Sequence, residues 1–461
     1  MDGGPPSTIH TCLDEIEKII PGRVSSALSV RDHHTHTLTS VRPERPDAVV
    51  WPETTAEVAS IVKRAAAHRV PLIAFGAGTS LEGHVNAPFG GISVDLSRLN
   101  RIIQIRPDDM DCTIEAGVTL QRLGAELRNT GLFFAVDPGA EHATLGGMAA
   151  TRASGTTTVR YGSMRENVVS LTAVMASGEI VRTARRARKS AAGYDLTKLL
   201  VGSEGTLGLI TELTLKLHGV PEATTSATAA FETVAAATRV ATQAIQCGLG
   251  VARLELLDAV QIHCVNSRSK LDLEERPTLF VEFHGSDASC SYDFEAFRAL
   301  AEAEGASGVR SASDEAGRKL LWRARHDAFW AVKTAWPGKQ VLVTDVAVPL
   351  SNLAAAVTET AEDTARSGLI APIVGHVGDG NFHAIIVFDP ADTAEVLKVN
   401  AFLDRLVARA LALDGTATGE HGIGQGKMRF MAAEHGPGVA VMRAIKAALD
   451  PLGILNPGKI F

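Results

Sequence analysis

Gly76-Ala77-Gly78-Thr79-Ser80-Leu81-Glu82-Gly83 follows directly on residues 71–75 (PLIAF), a short apolar run that reads as a strand. A glycine-rich turn after a strand lines up successive backbone N–H groups around a concavity suited to phosphate oxygens. Neither common nucleotide motif is met. A G-x-G-x-x-G loop needs glycine where Leu81 stands, and a Walker A loop needs lysine after Gly83, where His84 stands. On these residues alone a plain tight turn and a phosphate site are equally good readings. Upstream, residues 48–51 read as a strand, and Thr54 with Glu57 has the spacing of a capping box ahead of Val58, Ile61, Val62 and Ala65, which recur at helical period. Downstream, residues 91–96 (GISVDL), 101–105 and 112–116 read as strands, and a helix from Leu120 is expected to stop at Gly131 as its C′ glycine. The predicted class is α+β with mixed sheets.

Composition narrows the function. The 461 residues are 45% apolar and 21% charged, which predicts two or three domains with their own cores and excludes disorder and fibres. With 45 Lys+Arg against 52 Asp+Glu the net charge is -7, so there is no basic footprint for nucleic acid and a small-molecule partner is expected. Five cysteines, odd in number and without C-x-x-C, argue against a disulfide framework or zinc ribbon and fit a reducing compartment. No apolar run reaches membrane-span length, and residues 1–7 (MDGGPPS) lack a secretory pattern, so a cytoplasmic protein without an integral membrane segment is expected. Arg182, Arg185, Arg186, Arg188 and Lys189 read as a solvated loop rather than a binding patch.

The 42 glycines are clustered. Asp137-Pro138-Gly139, Leu145-Gly146-Gly147-Met148-Ala149-Ala150, Ala153-Ser154-Gly155 and Arg160-Tyr161-Gly162 form a second group. Val201-Gly202-Ser203-Glu204-Gly205-Thr206-Leu207-Gly208 forms a third, running into an alternating, half-buried strand over 207–217. Such density of small residues exceeds what packing asks and points to close backbone approach. Beyond Pro221, an Ala-rich helix over 231–248 and strands near 279–283 and 340–348, around a helix at 320–332, predict a second domain.

From residue 46 to the C-terminus these segments, in this order, resemble the flavin-dependent vanillyl-alcohol oxidase and p-cresol methylhydroxylase superfamily. The resemblance implies a two-part FAD-binding domain over 1–220, a substrate (cap) domain with an antiparallel sheet over 221–413, and a segment over 414–461 that returns to the FAD domain and completes the active site. It further implies FAD contacts from Gly76, Ala77, Gly78, Thr79, Ser80, Pro138, Gly139, Thr144, Leu145, Gly146, Gly147, Ala150, Ser154, Gly155, Tyr161, Gly162, Glu204, Gly205, Gly208, Ile210 and Asn456. Relatives that bind flavin covalently in the first loop carry histidine where Thr79 stands, so noncovalent FAD is expected.

Gly375-His376-Val377-Gly378-Asp379-Gly380-Asn381-Phe382-His383 lies between the apolar runs 372–374 and 384–388 and reads as a β-hairpin turning at Asp379-Gly380. A tight turn there sets His376 opposite His383, with Cβ atoms about 4.5–5.5 Å apart. Two readings stay open, a metal pair and a cross-strand hydrogen-bonded pair. Glu420, in Gly419-Glu420-His421-Gly422-Ile423-Gly424, offers a third ligand and an open His2Glu site. Its near copy Glu434-His435-Gly436-Pro437-Gly438 reads as an ordinary turn.

Both segments resemble the D-lactate and D-2-hydroxyglutarate dehydrogenase branch of the flavin family, nearest the D-lactate type through Trp322-Arg323-Ala324-Arg325-His326 and Asn456-Pro457-Gly458-Lys459. The resemblance implies a divalent metal, Zn or Mn, on His376, His383 and Glu420, with His421 as base and Arg325 as the substrate-carboxylate arginine. Val343 and Ile385 stand where the hydroxyglutarate enzymes carry polar groups, which favours D-lactate or small aliphatic D-2-hydroxy acids. Trp322, Phe329 and Trp330, at helical spacing around Arg325, read either as ordinary core or as an apolar pocket wall; Arg323 reads as surface. His33, His34 and His36 read as solvated.

The expected electron acceptor is a quinone, a cytochrome or an electron-transfer flavoprotein. Homodimerisation and peripheral membrane association are further expectations. The alternatives are a D-2-hydroxyglutarate dehydrogenase, an FAD subunit of a glycolate oxidase and, on the same fold, a nonredox alkylglycerone-phosphate synthase.

Overall fold

The computed structural model describes residues 8–35 and 41–461; residues 1–7 and His36 lie outside them. The chain divides into two compact units, one made of residues 1–154, 162–220 and 420–461, the other of 155–161 and 221–419.

The first unit holds two principal sheets. In the smaller, Ala48–Val50 and Leu72–Phe75 pair in parallel with the central strand Ile92–Asp95, and Val24–Ser25 adds an antiparallel edge. Thr55–His68 bridges the first two, burying Val58, Ile61, Val62 and Ala65 on the predicted stripe. Thr54 caps it by accepting from the Glu57 amide, but the Glu57 carboxylate turns to the Glu53 amide and to Arg23, so only half of the capping box forms. The larger sheet is antiparallel, ordered Ile102–Arg106, Asp111–Glu115, Leu209–Lys216, Val168–Val174, Ile180–Arg182. Leu209–Lys216, expected to alternate, is buried for most of its length, Leu209 entering one apolar core and Ile210, Leu213 and Leu215 another. The helix from Leu120 ends at Leu127, three residues short of the turn at Thr130, and Gly131 (φ +72°) serves that turn rather than the cap. The C-terminal segment closes the small sheet, Leu72 exchanging hydrogen bonds with Ile454 and Asn456.

The second unit is built on an eight-stranded antiparallel sheet. Its order is Ser307–Ala312, Ala223–Ala230, Thr278–Gly285, Val251–Leu257, Ile373–Gly375, Asn381–Phe388 and Gln340–Val343, with Val346–Ala347 also on Asn381–Phe388. Over one face lie the helices Ala259–Ser269, Glu315–His326 and Ala328–Ala335, whose Ile262, Val265, Trp322, Ala328 and Val332 enclose an apolar core with Leu257, Phe280, Val374 and Ile385. The expected helix over 320–332 is broken at Asp327, which ends one helix and opens the next. Trp322 is therefore core, while Trp330 beyond the break is 47% exposed. Residues 155–161 pack here too, Thr158–Tyr161 lying against Val251–Leu257.

Of the N-terminal histidines, His33 is exposed but His34 is buried, against expectation. Its ring bonds the Val30 carbonyl at 2.8 Å and Asp95 at 3.1 Å and lies against Phe75, because Asp95 ends an internal strand and needs a partner. In the basic run, Arg185, Arg188 and Lys189 are exposed as expected, and Arg186 pairs with Asp109 and Asp111. No helix among the described residues is long and apolar enough to cross a membrane.

All five cysteines are free, and only Cys247 is exposed. Burial pushes the thiols of Cys12 and Cys264 up to about 11 and that of Cys112 up to about 12. A thiol-disulfide reagent at pH 8 should therefore titrate one thiol rapidly in the native protein and five in denaturant. Rapid loss of two or more native thiols would contradict this packing.

Candidate active site

The three glycine clusters meet in the first unit around one cleft, enclosing roughly 1240 Å³ with its open mouth. The strand Leu72–Phe75 delivers the first loop, in which Gly78 and Gly83 take positive φ of 66° and 75°. A Cβ on Gly76 would fall 2.2 Å from Thr144 Oγ1, so the loop can lie there only as glycine. Thr144 caps the helix Leu145–Thr151, and Gly146 sits with its N–H on the Ala116 carbonyl at 2.8 Å. The third cluster docks on this helix, the Gly202 and Glu204 amides donating to Ala149 and Ala150 at 2.9 Å each.

The cleft is bordered by Gly76, Ala77, Gly78, Thr79, Ser80, Pro138, Thr144, Gly146, Gly147, Ala150, Ser154, Glu204, Gly205, Gly208, Ile210 and Asn456 of the predicted set, together with Glu420 and His421. Leu145, Gly139, Gly155, Tyr161 and Gly162 do not border it. Leu145 faces the core, Gly139 closes an exposed turn on Asp137, and Gly162 lies against Glu166 in a capping box. Gly155 and Tyr161 belong to the second unit, where the Tyr161 hydroxyl bonds His284 at 2.7 Å.

His84, overlooked in the sequence as a binding residue, also borders the cleft and is 5% exposed. Its Nε2 lies 3.4 Å from Glu204 Oε2, an ion-pair distance without hydrogen-bond alignment. Ser80 Oγ and Asn456 Oδ1 are likewise buried without a partner. Buried polar atoms are rarely left so, and a cleft lined by orphaned donors and acceptors suits a polar cofactor.

Glu204 organises the rim. It holds positive φ (54°) and accepts from the Ile423 and Gly424 amides at 2.7 and 2.8 Å, fixing the loop that carries Glu420 and His421. Burial pushes its carboxyl up, but His84 and the two amides outweigh this and hold it below the ordinary range. Glu420 accepts from Ser154 Oγ at 2.7 Å.

In the second unit the hairpin register is Val374 opposite His383, not His376 opposite His383, because the turn spans residues 376–380 rather than two. The rings nonetheless meet edge to face, with centroids 5.5 Å apart. Each is held at Nδ1, His376 by Glu255 at 2.6 Å and His383 by the Thr344 carbonyl at 2.8 Å, so that coordination would run through Nε2. Glu255, missed in the sequence, is fully buried and also takes Arg325 Nε at 2.6 Å. Its carboxyl is lifted by burial but brought below its usual value by His376 and Arg325. Val343 and Ile385 are direct cross-strand partners beside Trp322, and Arg323 points outward to the Ser269 carbonyl. Glu434 and His435 end a short helix.

A glycine-walled cleft in a mixed α+β unit, with a second unit bearing paired histidines and an arginine, defines a cofactor-dependent enzyme rather than a binding module. Residues 46–184 match an FAD binding domain, and residues 220–460 match the FAD linked oxidases, C-terminal domain. The chain belongs to the FAD linked oxidases. It is 47% identical over 441 residues to "Probable D-lactate dehydrogenase, mitochondrial" of Danio rerio, covering 95% of this chain and 88% of that one. It is 39% identical over 475 residues to D-lactate dehydrogenase (cytochrome) 1, mitochondrial, of Saccharomyces cerevisiae, covering 99% and 80%. The crystal structure of p-cresol methylhydroxylase with substrate bound shares the fold, with a TM-score of 0.81 at 17% identity over 99% of this chain and 98% of that one.

Glu204→Gln would leave one of the two rim amides without an acceptor. Its unfolding free energy in urea at pH 7 should drop by about 1–3 kcal/mol. Because the folded carboxyl titrates below its unfolded value, the wild-type advantage should be complete above about pH 4.3 and fade as pH falls further. Equal stabilities at pH 7 would show that the rim does not depend on the carboxylate.

Proposed function

We propose that this chain is an FAD-dependent dehydrogenase that oxidises D-lactate, or small aliphatic D-2-hydroxy acids like it, to 2-oxo acids. The observation that supports this reading is that His421 borders the same cleft as the glycine loops, a position suited to a proton acceptor for a bound cofactor's substrate. The D-lactate dehydrogenases among the relatives, at 39–47% identity, supply the substrate class.

Arg325, steadied through Nε by Glu255, has its terminal nitrogens for the substrate carboxylate. His421 takes the hydroxyl proton as general base, and the apolar pair Val343–Ile385 receives the short side chain. FAD, when bound, supplies the two-electron sink for the hydrogen on C2. His376, His383 and Glu420 would hold a divalent metal, Zn or Mn, whose charge would make the hydroxyl easier to deprotonate. Glu420 follows directly on Gly419, the last residue of the unit that carries both histidines. With Thr79 in the first loop the cofactor is held without a covalent bond. A cytochrome is the proposed acceptor, after the name of the yeast relative.

The purified protein should be yellow and release its flavin on mild denaturation, and D-lactate, not L-lactate, should bleach it anaerobically. His421→Ala should keep FAD and metal while flavin reduction slows about 100- to 10,000-fold. Glu420→Ala and His376→Ala should lose metal. Stopped-flow reduction beside elemental analysis separates these roles: loss of metal in His421→Ala would make His421 a ligand, and D-lactate without effect on the wild-type spectrum would overturn the reading.

The apolar pair makes a separate claim. kcat/KM should favour D-lactate over D-2-hydroxyglutarate, whose second carboxylate would be buried unpaired. The reverse order would require another cation in the pocket.

A further inference from the structure

His84 has no part in the reading above. It sits in the first glycine loop region, one residue beyond Gly83, buried to 5% exposure in the wall of the cleft. Neither ring nitrogen has a hydrogen-bond partner. Nε2 has only the ion-pair contact with Glu204 and Nδ1 has none, and burying an imidazole nitrogen in this way is unfavourable unless a ligand completes it.

The surroundings say which end of the cleft this is. Asn456 Nδ2 donates to the His84 carbonyl at 3.2 Å and to the Glu204 carbonyl at 2.7 Å, clamping both backbones. A Cβ on Gly422 would lie 2.8 Å from His84 Nε2 and 2.7 Å from Glu204 Oε1, so the pair sits directly beneath the residue after His421. His84 is therefore at the end where the proton acceptor stands. Nε2 faces the Glu204 carboxylate, whose remaining capacity is taken up by the Ile423 and Gly424 amides. Nδ1 is left for the cofactor.

Transfer of a hydrogen with its electron pair to the neutral oxidised flavin ring of FAD adds one negative charge to that ring. We propose that His84, paired with Glu204, is the group that meets this charge, so that it sets the reduction potential of the flavin. The inference rests on FAD occupying this cleft, and on no assumption about the substrate. An N–H donor turned toward a developing anion in a poorly solvated cleft is worth far more than in water.

The test is the midpoint potential of the bound flavin, measured by dye equilibration in the holoenzyme for wild type, His84→Gln and His84→Leu. His84→Leu should favour the oxidised form about 10- to 100-fold relative to wild type, a fall of roughly 30–60 mV for a two-electron couple. His84→Gln, which keeps an N–H donor, should fall between. FAD content and thermal unfolding of each variant are recorded alongside. A His84→Leu protein that binds FAD at an unchanged potential would reduce His84 to packing and overturn the proposal. Flavin that stays attached to denatured wild type but not to the variants would make His84 a covalent anchor, which overturns it equally. Wild type that binds no FAD would instead sink the functional reading beneath it.

Discussion

Between Gly146 and Ala116 there is no room for a methyl group. A Cβ on Gly146 would lie 2.5 Å from the Ala116 Cβ and 2.8 Å from its carbonyl oxygen. From this one close approach a sequence of backbone dependencies runs through the first unit. It seats the helix Leu145–Thr151 against the sheet, and the carbonyls of Ala149 and Ala150 then receive Gly202 and Glu204. Glu204 in turn receives Ile423 and Gly424, and so the loop with His421 is set relative to the glycine turn after Phe75. Overpacking of about 1–3 kcal/mol at the first link is a large part of a typical margin of about 5–15 kcal/mol.

The second unit fixes its polar groups by charge rather than by close backbone approach. Glu255 is wholly buried on a central strand, and its two oxygens hold Arg325 and His376 at 2.6 Å each. Farther along the same face Glu282 takes His284 at 2.9 Å and Ser226 at 2.9 Å, and Ser226 takes Trp322. Such pairs add little net stability over apolar packing, yet losing one partner typically costs about 3–5 kcal/mol because the other is left as a buried charge. Their contribution is orientation. Arg325 and His376 cannot drift independently, since one carboxylate holds both.

Much of this was legible in the sequence, and the misses have physical causes. Gly76 and Gly146 announced themselves because close approach demands small residues in dense runs, whereas Thr144 and Glu204 came only with the family resemblance. His84 did not, since a lone histidine after a glycine loop carries no signal until its burial is known. Glu255 sits in the run VARLELL, which reads as an ordinary strand with one charge. The histidine pair was found with the wrong register. Asp379-Gly380 looks like a two-residue turn, whereas the Asp379 and Asn381 amides both fold back to the His376 carbonyl and lengthen the loop. The aromatic spacing around Arg325 left core and pocket wall both open because periodicity cannot see the break at Asp327.

The interleaving of the two units bears on how the chain is made. Residues 221–419 leave the ribosome as one continuous run, with 155–161 already synthesised, so the second unit has all its parts before translation ends. The first unit does not. Its small sheet lacks the Ile454 and Asn456 partners of Leu72 until residues 454–456 emerge, and its cleft lacks Glu420, His421 and Asn456 until those residues are made. The half synthesised first is thus the half completed last. A nascent or truncated chain would carry an unfinished sheet edge and an open glycine cleft in its N-terminal part, surfaces on which chaperones act and strands mispair.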